Sequence, residues 1–190
     1  RRTMSLFNVF KNNSNEIPKI NVDSFIESLK INSKNEIPKS LSKRDLYMYF
    51  ENRFDKAIST YDLSNSLTLS GLVEILAIDD TNKIFYFVSG KYIFKFQYSK
   101  LSDIEISNDT KTYVSGKGLS TLAGGLAFGL PGAIVGSSGT RKVKTKETRT
   151  YFKLILNDLN TSALNLTVEN IVKGRADEFL GALNYILNNK

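Results

Sequence analysis

At 190 residues with 41% hydrophobic content, the chain has room for one ordinary domain plus an appendage, and enough apolar side chains for a core. Its net charge of +7 suits anionic partners, nucleic acid or a lipid surface, and equally suits plain solubility. Histidine and cysteine are both absent, which excludes disulfides, the usual zinc sites, imidazole acid–base catalysis and thiol nucleophiles; the chain reads as a non-enzyme without a cofactor.

Arg1-Arg2-Thr3 ahead of Met4 reads as an added tail. The run from Met4 to Lys11 is too short and too soon interrupted by charge for a secretory signal, so the expected location is cytoplasmic, with a peripheral position at the inner face of the cell membrane if the chain meets lipid. Leu6, Phe7, Val9 and Phe10 are read as docking on the protein's own core in preference to a membrane interface.

Next comes a small repeat, "NEIPKI" at 15–20 and "NEIPKS" at 35–40. Pro18 and Pro38 bias Ile17 and Ile37 away from the helical region, so both copies are read as extended connectors. After the first, Val22, Phe25, Ile26 and Leu29 have helical spacing. After the second, Ser42 with Asp45 resembles a capping box, and Leu46, Tyr49, Phe50, Phe54, Ala57 and Ile58 form a longer apolar stripe. Residues 4–62 are therefore expected to be a helical segment packed on a neighbouring domain at 67–189.

From Leu72 the period shortens. "LVEILAID" (72–79), "KIFYFVS" (83–89), "YIFKFQY" (92–98) and "DIEIS" (103–107) are β-branched and aromatic runs separated by "DDTN", "SGK" and "SKLS" turns, an antiparallel meander. Two further strand regions lie within 141–158 and 163–168, joined by "NDLNTS". Ala176, Phe179, Leu180, Leu183, Ile186 and Leu187 mark one face of a terminal helix.

Between the two groups of strands lie 23 residues without a charge, Gly118 to Thr140, inside an insertion placed at 116–140. As a helix they would reach about 35 Å, a bilayer core's thickness. Gly125, Gly129, Gly132 and Gly136 then share one face as two G-x-x-x-G units. Glycine costs a water-exposed helix roughly 1 kcal/mol each relative to alanine, so this stretch suits lipid or a sister copy better than water. With Leu122, Leu126, Phe128, Leu130 and Ile134 it is the candidate oligomerisation or membrane surface. Pro131 sits near its centre, so a stable single span is not expected; a re-entrant hairpin or two short helices fit better, and a bland interstrand loop is the competing reading. Lys117 before the segment, and Arg141, Lys142, Lys144, Lys146 and Arg149 after it, form a basic comb for an anionic surface, or else a charge-protected edge strand.

"YSKLSDIEI" before the insertion and "FKLILNDLN" after it, with this order of elements, resemble the bacterial pleckstrin-homology-like domains of small prophage and Firmicute proteins, over roughly residues 67–189. The resemblance implies an α+β fold: an antiparallel sheet or barrel of six to seven strands capped by the C-terminal helix, here with an N-terminal helical extension and a glycine-zipper insertion. It also implies a binding scaffold, whose ligand the fold alone does not select, and a setting in phage–host conflict. Expected partners are a second copy of the chain, an anionic lipid membrane, or a phage or host protein recognised by a soluble adaptor. Nucleic acid is the weaker prospect, because Tyr92, Phe94, Phe96 and Tyr98 share one strand face and are read as core in preference to a base-stacking platform. "VSGKGLST" fails as a phosphate loop, since Gly118 follows Lys117 and position 111 is Lys. "VSGK" at 88–91 and Asp79-Asp80 are read as turns, and no metal-loop spacing occurs.

Overall fold

Two capped helices begin the architecture. The computed structural model of the chain describes residues 20–63, 73–109, 149–169 and 174–190, and the backbone of 112–114. Helix α1 (Val22–Ser28) starts where the Asn21 side chain accepts the N–H of Asp23 at 2.8 Å, satisfying one orphan donor of the first turn. Helix α2 (Lys43–Arg53) carries the expected capping box: the Ser42 hydroxyl accepts the Asp45 N–H, and the Asp45 carboxylate accepts the Ser42 N–H, both at 3.1 Å.

The same stretch adds two strands that were not expected. β1 (Ser33–Glu36) overlaps the second repeat copy, so Asn35 and Glu36 are paired strand residues and more than a connector. Helix α2 stops at Arg53, Phe54 is already extended, and Ala57 and Ile58 lie in β2 (Lys56–Ser59). The stripe from Leu46 to Ile58 is thus a helix followed by a strand. Phe50, Phe54 and Ile58 are spaced for a helix, but a neighbouring strand offers residues 56–59 a full ladder, and the Asp55 N–H already donates to the Ile78 carbonyl at 3.0 Å.

The chain continues through β3 (Ile75–Asp79), β4 (Ile84–Ser89), β5 (Tyr92–Gln97), a single 3-10 turn at Tyr98–Lys100, β6 (Leu101–Asn108), β7 (Thr112–Val114), β8 (Arg149–Leu156), β9 (Ala163–Glu169) and α3 (Arg175–Asn188). Every pairing is antiparallel, in a five-stranded sheet of order β1-β5-β4-β3-β2 and a four-stranded sheet of order β7-β6-β8-β9. Helices and antiparallel sheets ending in a C-terminal helix are the α+β class expected. Asp79 closes the β3–β4 turn by accepting from the Asn82 N–H and side-chain amide, and Gly90 turns β4 into β5 at φ 56°, so both stretches are turns as read.

Two apolar layers hold the sheets. Leu76, Ile78, Phe85, Phe87, Phe94 and Phe96 point from the five-stranded sheet toward Ile104, Phe152, Leu154, Leu166 and Val168 of the other, and α3 closes the layer with Phe179, Leu183 and Ile186. On the outer face, Ile75, Ala77, Ile84, Tyr86, Val88 and Ile93 lie under Ile26, Leu29, Leu46 and Phe50 from α1 and α2. Covered on both faces, β3 and β4 read as continuous apolar runs without alternation. The rings of Phe94, Phe96 and Tyr98 are core, with Tyr98 fully buried, while Tyr92 on the same strand is half-buried against that core.

Candidate functional site

The described residues that bear on the insertion are its two roots. β7 and β8 flank β6, with Ser107 opposite Thr112 on one side and Tyr151 on the other. The chain therefore leaves the four-stranded sheet after Val114 and rejoins it at Arg149, in register with the residue after Asn108. Two strand spacings, about 10 Å across the sheet, and roughly 13 Å along it separate the two points.

The return root is a polar clasp. The Arg149 N–H donates to the Asp109 carboxylate at 3.1 Å, and the Tyr151 hydroxyl donates to its other oxygen at 3.0 Å. The Arg149 guanidinium sits 3.6 Å from Glu169 on the adjacent strand. Contact with the Tyr151 hydroxyl, and then the Glu169 carboxylate, push Arg149 further above its ordinary value. The Tyr61 hydroxyl joins from the end of β2; partial burial and then the Glu169 carboxylate raise its pKa. Arg149, the one anionic-surface candidate inside the described residues, thus stands in an ion pair that any anionic surface would have to compete with.

Beside the clasp the two sheets meet. The Glu74 carboxylate accepts the Thr167 N–H of β9 at 2.9 Å and the Ser89 hydroxyl of β4 at 3.1 Å. Lys43 of α2, itself buried, donates to the Val73 carbonyl and faces the same carboxylate. Burial raises the Glu74 pKa and lowers that of Lys43. On the outer face of the four-stranded sheet, Glu105, Ser107, Tyr151, Lys153, Asn165 and Thr167 border a shallow depression of about 240 Å³. Lys153 pairs with Glu105 across it at 2.9 Å.

The glycine stripe (Gly125, Gly129, Gly132, Gly136), its apolar companions Leu122, Leu126, Phe128, Leu130 and Ile134, and Lys117, Arg141, Lys142, Lys144 and Lys146 lie outside the described residues, as does the first repeat copy at 15–19. Sequence reasoning missed Asp109, Tyr151, Glu169, Tyr61 and Glu74. A polar residue at a strand end carries no local mark of a partner that folding brings from 40 or 93 positions away. Among the described residues, no helix is long and apolar enough to cross a membrane, and no group of three or more carboxylates is placed to hold a metal.

Comparison with known proteins agrees with this architecture at the level of family. No curated protein and no solved structure matches the chain. The family model described as "Glycine zipper containing PH domain" matches residues 59–170, from the end of β2 through β9 and across the whole insertion. More than half of the chain is covered by that match, and the chain belongs to the family of PH domains that contain a glycine zipper.

Proposed function

We propose that this protein is a non-enzymatic scaffold in which the PH domain holds a glycine-zipper arm, and that the arm mediates self-association, at or in the surface layer of an anionic membrane. One observation carries the reading: β7 and β8 pair with the same strand, so the chain between them goes out and comes back. A segment that crossed a bilayer once would end on the far side and could not rejoin β6. What suits this geometry is two short arms divided at Pro131-Gly132, with the small faces around Gly125, Gly129, Gly132 and Gly136 packed on each other or on a sister copy. Lys117, Arg141, Lys142, Lys144 and Lys146 flank the arms and would favour an anionic leaflet beside them.

The second reading, a soluble adaptor for a phage or host protein, is favoured by the outer face of the four-stranded sheet, which no helix among the described residues covers, with its depression between Tyr151 and Thr167. The phage–host setting itself rests on resemblance alone. The two readings separate in one experiment. The full chain and a variant with residues 118–140 replaced by a short Gly-Ser linker are compared by sizing with light scattering and by flotation with anionic and neutral vesicles. Loss of the higher-order species and of anionic flotation on deletion is the expected result. A monomer before and after deletion, with unchanged flotation, overturns the arm as the functional element.

A further inference from the structure

Among the described residues, β1 at one edge of the five-stranded sheet carries outward backbone groups without a partner, and the chain carries a second copy of the sequence that begins within this strand. Ile37 donates its N–H to the Lys91 carbonyl at 2.9 Å, in register with the pairs Asn35–Ile93 and Ser33–Lys95. The alternation of an antiparallel ladder therefore turns the N–H and C=O groups of Ser33, Asn35 and Ile37 toward β5, and those of Lys34 and Glu36 outward. Among the described residues nothing pairs with the outward groups. The segment supplying this edge includes Asn35-Glu36-Ile37-Pro38-Lys39, and Asn15-Glu16-Ile17-Pro18-Lys19 repeats it twenty positions earlier.

What lies between the copies has the dimensions of a crossover. Residues 20–32 contain α1, whose Ile26 and Leu29 pack into the layer on the sheet's outer face. Lys95 of β5 donates to the Leu29 carbonyl at 3.1 Å, and the Gln97 N–H to the Asn32 side chain at 3.2 Å, which fixes where the chain enters β1. Parallel neighbouring strands need a connection of about a dozen residues or more, usually a helix laid on the sheet. This connection meets that need. We propose that the open edge of β1 is the docking site of the chain's own first repeat copy, residues 15–19, which adds beside β1 as a parallel strand with α1 as the crossover. Pro18, lacking an N–H, is tolerated at an edge. Covering the edge also blocks pairing between molecules there, leaving self-association to other surfaces; the proposal does not rest on the function assigned to the glycine arm.

Residue-resolved amide exchange on the full chain tests it. The Lys34 and Glu36 amides should exchange at least about tenfold more slowly than in an Ile17→Pro variant, at every protein concentration, as expected when an intramolecular strand protects them. The Asn35 and Ile37 amides, which face β5, should be equally protected in both proteins and report that the fold is intact. An Ile17→Val variant should keep the protection. Equal exchange of Lys34 and Glu36 in wild type and Ile17→Pro overturns the proposal. So does protection that grows with concentration, which would make a second molecule the donor.

Discussion

The side chain of Glu74, at the start of β3, accepts the main-chain N–H of Thr167, 93 positions later on the edge strand of the other sheet. One carboxylate thereby joins both sheets through Thr167 and Ser89 and meets α2 through Lys43. Glu74→Ala leaves the exposed Thr167 N–H to water and the part-buried Ser89 hydroxyl without this acceptor, and should cost about 1 kcal/mol in urea unfolding. Glu74→Gln keeps an acceptor for Thr167 and should cost less.

The same residue gives a pH signature. Burial holds the folded-state pKa above the unfolded one, so the native state binds more protons in the interval between them and its stability falls as pH rises through that interval. The contribution is fully present below the ordinary glutamate value and is lost above the raised one. The stability of wild type relative to Glu74→Gln should therefore increase on acidification from neutral pH. Chemical denaturation at a series of pH values measures it, and a difference that shrinks on acidification contradicts the assignment.

Phe50 is fully buried and lies 5.4 Å, centroid to centroid, from both Phe54 and Tyr86, so it is the main plug between α2 and the sheet's outer face. Phe50→Ala should lose about 3–5 kcal/mol. Dye binding to exposed apolar surface should rise with it, because Tyr86, Val88 and Ile93 lose their cover.

Ser42→Ala removes half of the capping box and should destabilise the protein by about 1 kcal/mol, read as a shift in the denaturation midpoint without a change in slope.

At the insertion root, the Arg149–Glu169 pair is more than half exposed on the arginine side, and Arg149→Ala should change stability by less than about 1 kcal/mol. Glu169→Gln removes the competing carboxylate, so flotation on anionic vesicles should increase if the comb that includes Arg149 meets lipid. No change in flotation would place Arg149 with the clasp alone.

Much of the fold was legible because its signals are local. The Ser42–Asp45 cap, the apolar face of α3 and the turns at Asp79 and Gly90 each depend on residues a few positions apart. β1 and β2 were not legible. Ser33, Lys34, Asn35 and Glu36 are poor strand formers, and they form one because β5 offers a ladder, Lys34 lies 3.9 Å from the Tyr92 ring and Glu36 pairs with Lys91. Ala57 and Ile58 fit a helix by spacing until β3 is present to receive them.

The order of amino acids by itself determined the α+β class, the non-polar glycine-stepped segment between two groups of strands, and the lack of imidazole and thiol chemistry, since these follow from side-chain type and short-range period. Only the tertiary structure decided that the segment's two ends are fastened to one strand, that Arg149 is held by Asp109 and Glu169, and that the N-terminal stretch completes the five-stranded sheet. Hydrogen-bond partners and charge neighbours distant in the chain are chosen when the sheets pair and stack, and no local pattern of residues encodes that choice.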